Sequence, residues 1–392
     1  MIKIKRFNLF FVSFLILHVF RLQSVVLIPT VIFYLHSSVN KMYQYKAALF
    51  VYLYAIYATI IFFSSIYSSS ISTAALIDFK PIFMLSIFPS FILYDKIYSP
   101  KLEDIAKIII YSILIIMISA VIFKFNYMNI IIRGDIGLIA MVALILILPM
   151  SVDDLKKYIF VFLMLFVSFL LIQGRASMLA GAIAIGFLLL KSHNLRLVEK
   201  NIYKYYFVLG IMFLFIVASV FIARAVDISN NYGVSVAESE ARFLAFIVFY
   251  DVLSSFSLFE WLFGRGFGID FSQNIDCGRV LPLVCLHMEN IIIGNNGIYP
   301  AIGFHNELIR IFVSTGIIGT LIFFFFVGSL WRKKIRNSAS KTNQLYAIRL
   351  NSLIVLFLIS LFSHGILGST ITSFVILSSM GIIYSKSIKK YV

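Results

Sequence analysis

Apolar side chains dominate the chain in long runs that are separated by short polar segments. Twelve such runs stand out: residues 7–20, 22–39, 47–66, 79–94, 106–123, 136–150, 158–173, 176–190, 205–222, 308–330, 348–363 and 369–385. About 20 apolar residues in a helix cross the ~30 Å hydrocarbon core of a bilayer, and several of these runs are shorter. Between the first two runs, Arg21 lies either at a hairpin tip or within one long kinked segment. The pattern predicts an all-α polytopic membrane protein with about twelve transmembrane helices.

The composition favours a membrane protein over a soluble one. Apolar residues make up 61% of the 392 residues, charged residues make up 13%, and the mean hydropathy is +1.00. A soluble domain carries about a quarter charged residues and cannot bury this much apolar surface, whereas a membrane protein can expose it to lipid. The net charge of +16 is spread over short clusters between the apolar runs rather than along one amphipathic face. This distribution argues against a nucleic-acid partner.

The distribution of Lys and Arg predicts the orientation. If both termini are cytoplasmic, 23 of the 33 Lys and Arg residues fall in cytoplasmic segments, in agreement with the positive-inside rule. This topology divides the chain into transmembrane helices over residues 1–222, a large external loop over residues 223–304, and further transmembrane helices over residues 305–392. Within the loop, the aromatic-rich stretch 238–263 is typical of an amphipathic or interfacial helix.

The external loop contains arginines but no lysine. These arginines, with two more that lie close to the same membrane face, are Arg224, Arg242, Arg265, Arg279, Arg175 and Arg310. A guanidinium grips phosphate or carboxylate through two parallel hydrogen bonds, which suits a lipid pyrophosphate. Alternatively, the loop arginines pair with the eight acidic residues of the loop itself. Arg175 differs because it lies between two apolar runs without a nearby acid, and an ionisable residue within a membrane is a functional candidate.

A second group of polar residues begins the apolar run that ends at residue 330. Its members are His305, Asn306, Glu307 and Arg310. If residues 305–330 form one helix, Glu307 and Arg310 are three positions apart and can form an ion pair. His305 lies at the outer end of this helix, where it either exchanges protons or binds an anion, or serves as an ordinary structural histidine.

Three further features leave alternatives open. Gly316 and Gly319 permit close contact with another helix. The turn Gly264-Arg-Gly-Phe-Gly268 either presents its backbone amides to an anion or simply turns the chain away from the preceding helix. Cys277 and Cys285 either form a disulfide in an oxidising compartment or stay reduced. No Asp-x-Asp sequence occurs, so an essential metal has no obvious set of outer ligands.

Together these residues resemble the O-antigen ligase and O-antigen polymerase superfamily of bacterial envelope glycosyltransferases. The recurring family pattern of His-[Asn/Ser/Gln], nine residues and Gly-x-x-Gly-Thr is matched by His305-Asn306 followed by Gly316-Ile-Ile-Gly319-Thr320. Gln173-Gly-Arg175-Ala-Ser177 resembles a second element of the family. A third element is an arginine early in the loop and a glycine-rich turn at the end of an amphipathic helix, the places occupied by Arg242 and the 264–268 turn. The resemblance covers roughly residues 170–330.

The resemblance implies a GT-C-like helical bundle in the bacterial inner membrane, with cytoplasmic termini and a periplasmic active loop. An acceptor hydroxyl attacks the anomeric carbon of a glycan carried on undecaprenyl pyrophosphate, with inversion and without a metal or other cofactor. His305 activates or positions the acceptor in one version, whereas in the other Glu307 is the base and His305 holds phosphate. The expected pyrophosphate-binding and substrate-binding residues are Arg175, Arg242, Arg265, Arg310 and Asn306.

Within this superfamily we expect an O-antigen or related surface-polysaccharide polymerase that joins lipid-linked repeat units. The alternatives are an O-antigen ligase, which transfers the glycan to lipid A–core, and a polysaccharide flippase. Transporters usually contain repeated halves around a midplane site, whereas the polar chemistry here concentrates in one outer loop. The expected partners are the undecaprenyl-pyrophosphate-linked oligosaccharide, the lipid bilayer, and the chain-length regulator and flippase of the same pathway.

Overall fold

The computed structural model describes residues 32, 35–68, 73–122, 128–148, 175–195, 249–250, 252–267, 307–331, 340–363 and 370–388. Within these ranges the regular structure is helical, without strands. A short 3-10 turn, Met42–Gln44, precedes the α-helices of the described ranges, which we label in chain order. They are α1 (Lys46–Ser68), α2 (Thr73–Leu85), α3 (Ile87–Tyr98), α4 (Leu102–Ile122), α5 (Met128–Ile147), α6 (Arg175–Asn194), α7 (Leu258–Phe263), α8 (Glu307–Leu330), α9 (Lys341–Ser363) and α10 (Thr370–Ile388).

Several of these helices have the length and apolar character of membrane spans. Among the described residues, three helices are long and apolar enough to cross a membrane, over Lys46–Ser65, Glu307–Leu330 and Lys341–Leu361. Shorter apolar helices cover Gly137–Ile147, Leu179–Asn194 and Thr372–Ile388. The helical membrane-protein architecture fits these helices, while the number of about twelve spans stays a prediction. The predicted runs at 7–20, 158–173 and 205–222 lie outside the described residues.

The predicted run at 79–94 is two helices rather than one. α2 ends at Leu85 and α3 begins at Ile87, with Ser86 between them. Pro89 explains the restart, because it has no N–H to donate to the Leu85 carbonyl and its ring would collide with that carbonyl in a continuous helix. In the first turn of a new helix the missing N–H costs nothing, and Pro89 occupies such a position in α3.

The centre of the described bundle is α10. This helix packs against α3, α5 and α9, and its side chains from residue 372 to residue 385 are all buried. A helix that is covered on every side belongs to the interior of a bundle. α9 in turn packs against α6.

Buried cations tie helix ends to neighbouring helices. Arg349 of α9 donates from Nε to the Leu148 carbonyl at 2.9 Å and from Nη2 to the Ile147 carbonyl at 3.0 Å. These carbonyls lie at the end of α5, which lacks internal donors and carries partial negative charge, so the guanidinium acts as a cap. Similarly, Lys386 Nζ lies 2.9 Å from Oδ1 of the fully buried Asp95. All three charged residues belong to the predicted cytoplasmic side, and the direction of the bundle across the membrane stays a prediction.

α1 and α8 pack against each other in antiparallel fashion. Phe50, near the start of α1, stacks on Phe325 with ring centroids 5.7 Å apart, whereas Tyr57 further along α1 reaches Thr315, nearer the start of α8. The opposite face of α1 exposes a stripe of apolar residues: Leu49, Leu53, Ile56, Ile60 and Phe63. Spacings of three and four place them on one side of the helix, as expected for the lipid-facing side of a span.

Candidate functional site

α8 is broken at Gly316, nine residues after its start. Gly316 has φ 63° and ψ −166°, a backbone conformation that is essentially restricted to glycine. The prediction of one continuous helix over residues 305–330 is therefore wrong at this point. Residues 307–315 form a first helical segment, and a second segment continues to Leu330. The last carbonyls before such a break lack intrahelical donors and need partners from elsewhere.

Three donors from distant parts of the chain bond the carbonyls at this break. They are the backbone amides of Arg265 and Gly266, which donate to the carbonyls of Val313 and Ser314 at 2.8 and 3.2 Å, and the hydroxyl of Tyr57, which donates to the Thr315 carbonyl at 2.8 Å. The first two donors come from the glycine-rich turn and the third comes from α1. The break therefore joins three segments that the sequence presents separately.

Two glycines bring the turn and the break into direct backbone contact. A Cβ on Gly264 would lie 2.5 Å from the carbonyl oxygen of Ser314 and from the backbone nitrogen of Thr315. A Cβ on Gly316 would lie 2.5 Å from the Gly264 nitrogen and even closer to the Leu262 carbonyl oxygen. Because these neighbours are backbone atoms, they cannot rotate away from a side chain. Each glycine is thus required for the other segment to approach.

The remaining members of the Gly-x-x-Gly-Thr motif also have packing roles. Gly319 faces the ring of Tyr57, and a Cβ there would lie 2.9 Å from Cε1 of that ring. Thr320 donates from Oγ1 to the carbonyl of Gly316 at 2.7 Å. The predicted close helix contact at Gly319 is therefore confirmed, with α1 as the neighbouring helix.

The amides of the glycine-rich turn are used within the protein. Besides the two bonds to α8, the amide of Gly264 donates to the Glu260 carbonyl at 2.8 Å, and the amide of Phe267 donates to Ser65 Oγ at 3.3 Å. All four amides of residues 264–267 thus have protein acceptors. Of the two alternatives for this turn, the structure supports the tight turn that leaves α7 and docks on α8, not an anion-binding arrangement of these amides.

α7 is a short helix with a complete N-terminal cap. The amide of Ser257 donates to Glu260 Oε2 at 2.7 Å, and the amide of Glu260 donates to Ser257 Oγ at 3.2 Å, which together form a capping box. The Trp261 ring packs on the Phe312 ring of α8 with centroids 5.7 Å apart. The predicted helix over residues 238–263 is therefore not continuous to its end, because the chain is non-helical at Ser257.

The Arg265 side chain folds back on its own segment. Its Nε donates to Glu260 Oε1 at 2.9 Å, its Nη2 donates to Ser255 Oγ and to the Ser255 carbonyl at 2.6 and 3.1 Å, and its guanidinium lies 4.7 Å from the Phe256 ring centroid. Partial burial raises the pKa of Glu260, but the hydrogen bonds with Ser257 and Arg265 outweigh burial and hold this pKa below its usual range. Pairing within the loop thus describes Arg265, and its contact with pyrophosphate stays a prediction.

Glu307 and Arg310 form the predicted ion pair at the start of α8. Arg310 Nη1 lies 3.7 Å from Glu307 Oε1, and the two side chains are 17% and 1% exposed. The buried Tyr54 of α1 is close enough for the charges of both residues to act on its hydroxyl. A buried carboxylate beneath a partly exposed guanidinium holds that cation in place while part of its surface stays accessible.

The other predicted site residues are only partly described. Arg175 begins α6, whose Phe187 ring lies 5.9 Å from the ring of Trp331, just beyond the end of α8. His305, Asn306 and Arg242 lie outside the described residues, as do Cys277 and Cys285. The structure brings the segments of Arg265 and Arg310 together, and the assembly of the full predicted set stays a prediction.

The sequence analysis did not single out Tyr54 and Tyr57. Both lie on α1 and contribute hydroxyl groups to the surroundings of the break and of the Glu307–Arg310 pair. The available signal is their spacing, because positions three apart share one face of a helix. Polar groups on one face of an otherwise apolar span commonly bond a neighbouring helix.

The described residues show no obvious metal-binding group. No three His, Cys, Asp or Glu side chains lie together within the described ranges, and independence from metal stays a prediction. Comparison of the sequence with models of known protein families gives no match, and comparison with curated proteins gives none either. Assignment of a function therefore rests on the residues and their geometry.

Proposed function

We propose that this protein is a surface-polysaccharide polymerase that joins undecaprenyl-pyrophosphate-linked repeat units at the outer face of a bacterial inner membrane. The observation that supports the proposal most is the contact between the glycine-rich turn and the break in α8. It brings the Arg265 segment to the helix that begins with Glu307 and Arg310. Both segments belong to the motifs that resemble the O-antigen ligase and polymerase superfamily, although they are separated by about forty residues of sequence.

The proposed reaction forms one glycosidic bond and breaks another. An acceptor hydroxyl oxygen on one lipid-linked unit attacks the anomeric carbon of a second unit. The bond between that carbon and the pyrophosphate oxygen breaks, and its electron pair leaves with undecaprenyl pyrophosphate. The hydroxyl proton passes to a base on the protein. The site must therefore supply a proton acceptor and cations that stabilise the charge developing on the pyrophosphate.

Arg310 is the described cation that best fits the pyrophosphate. Its guanidinium is partly exposed, and Glu307 holds it from the buried side. Arg265 is already bonded to Glu260 and Ser255, so we assign it first to shaping the turn and only second to substrate. Arg175, Arg242 and Asn306 complete the proposed substrate-binding set.

The burial of Glu307 bears on the choice of base. A general base must come within about 3 Å of the hydroxyl it deprotonates. Glu307 is 1% exposed and is turned toward Arg310, whereas the acceptor approaches from outside. We therefore favour His305, two residues earlier in the chain, as the group that meets the acceptor hydroxyl. In this version Glu307 positions Arg310.

The glycans that accumulate after removal of the gene test this proposal. A polymerase deletion should leave lipid A–core carrying a single repeat unit. A ligase deletion should instead leave bare core, with polymer still attached to undecaprenyl pyrophosphate. Loss of a flippase should leave single lipid-linked repeats confined to the cytoplasmic face. Long-chain surface polysaccharide of normal length and amount in the deletion strain would refute the proposal.

A further inference from the structure

α7 exposes its apolar side chains instead of burying them. Leu258 is 80% exposed, Phe259 is 68% exposed and Leu262 is 39% exposed. Residues 258 and 262 lie one turn apart, so the three side chains form one face of the short helix. The ring of Trp261 instead packs against Phe312 of α8. An uncovered apolar face of this kind commonly meets another protein or a membrane.

The contacts of α7 place it beside a membrane-crossing helix, below the point where that helix begins. α8 has 24 residues and is therefore about 36 Å long, compared with ~30 Å of hydrocarbon. α7 touches α8 at Phe312 and Gly316, about 8 and 13 Å from the start of α8. If the excess length of about 3 Å is shared between the two ends, these points lie roughly 5 and 10 Å inside the hydrocarbon. Interfacial helices bury their apolar face to this depth.

The backbone of this region is bonded as a lipid-exposed position requires. Irregular backbone survives at membrane depth only where the protein supplies its hydrogen-bond partners, because lipid tails supply none. The four amides of residues 264–267 donate to protein acceptors, and the capping box bonds the start of α7. Arg265 carries its counter-ion with it, since Glu260 lies 2.9 Å away. An arginine at this depth normally needs such a partner.

The apolar surface also continues along the span below. Ile317 and Leu321 follow Gly316 on α8 and are exposed, at 37% and 49%. Leu262 is in backbone contact with Gly316, so the exposed face of α7 adjoins an exposed apolar part of a helix that crosses the membrane. Lipid already faces that part of α8, and this continuity favours lipid over a protein partner for α7.

We propose that residues 257–267 form an element embedded at the lipid boundary, with Leu258, Phe259 and Leu262 in contact with the upper acyl chains of one leaflet. The element anchors the end of the large loop in the membrane and holds the turn against the break in α8. This role does not depend on the proposed reaction, and it can hold or fail independently of that reaction.

Tryptophan fluorescence in lipid nanodiscs tests the proposal. The chain has two tryptophans, so Trp261→Phe with Trp331→Phe gives a background without tryptophan that keeps an aromatic ring on Phe312. Single tryptophans are then introduced as Phe259→Trp and Leu258→Trp. Phe63→Trp on the exposed stripe of α1 is the matched lipid-facing control. Each protein is placed in phosphatidylcholine brominated either near the headgroup end or near the methyl end of the acyl chains.

The expected result is quenching of Phe259→Trp and Leu258→Trp by brominated lipid to an extent similar to that of Phe63→Trp. Quenching should be stronger with bromine near the headgroup end, and aqueous iodide should quench far less than it quenches free tryptophan. Two results would overturn the proposal. Strong iodide quenching without bromine quenching would place the face in water, and protection from both quenchers would mean that protein covers it. Because the two substitutions are independent, failure of one variant to fold leaves the other to decide.

Discussion

Gly316→Ala tests the docking of the glycine-rich turn on α8. The alanine must adopt a backbone conformation that costs a side-chain-bearing residue about 1–3 kcal/mol. Its Cβ would also press on the Leu262 carbonyl and the Gly264 nitrogen, so the turn must move away. That movement weakens the two amide bonds to the α8 carbonyls, each worth a net ~0.5–1.5 kcal/mol. We expect an overall loss of about 2–6 kcal/mol in the free energy of unfolding.

Gly328→Ala is the matched control in the same helix. A Cβ at Gly328 would meet nothing within 4 Å, and its backbone is ordinary helix. Alanine is favoured over glycine in a helix interior by about 1 kcal/mol, so this variant should be as stable as the unchanged protein or more stable. The assay is reversible unfolding in mixed micelles, combined with hydrogen exchange of the amides of Arg265 and Gly266. If Gly316→Ala unfolds within about 0.5 kcal/mol of the unchanged protein and keeps both amides protected, the docking argument is wrong.

Three further predictions concern other parts of the structure. Arg349→Met should lower stability by about 1–3 kcal/mol in the same unfolding assay, because two carbonyls at the end of α5 lose their donor, whereas Lys341→Met at an exposed position should change little. The lowered pKa of Glu260 means that its ion pair stabilises the turn above the usual Glu value of 4.5 and is lost as the pH falls through the lowered pKa; exchange of the Arg265 amide should accelerate over that range, and Glu260→Gln, which retains a capping-box residue, should abolish this acid sensitivity. Arg310→Lys keeps the charge but loses the planar fork, so chain lengthening should fall by about tenfold or more at unchanged protein level, and full activity would show that charge alone suffices.

Features set by local spacing were predictable from the sequence. The run at 308–330 corresponds to α8, Glu307–Leu330, because a long apolar run between polar segments has few alternatives to a spanning helix. The Glu307–Arg310 pair was also predictable, since a separation of three on a helix brings two side chains together wherever the helix lies. Similarly, the glycine-rich turn was expected at the end of a helix, and α7 precedes it.

Features that depend on contacts between distant segments were not predictable. A lone glycine is tolerated within a helix, so nothing in the local sequence requires a break at Gly316. The break forms where Gly264, about fifty residues earlier, can approach the backbone and where Tyr57 can bond the Thr315 carbonyl. The partner of Arg265 was equally open, because the loop contains more acids than arginines and only the fold selects Glu260.

The most direct test of the central claim is a reaction with purified protein. The protein is placed in nanodiscs with undecaprenyl-pyrophosphate-linked repeat units, and the lipid-linked glycans are resolved by length over time. We predict progressively longer chains, with one undecaprenyl pyrophosphate released for each linkage formed, and no lengthening by a folded His305→Ala variant. Folded, unchanged protein that leaves the repeat units unjoined, or a His305→Ala variant that lengthens them at the normal rate, would contradict the account.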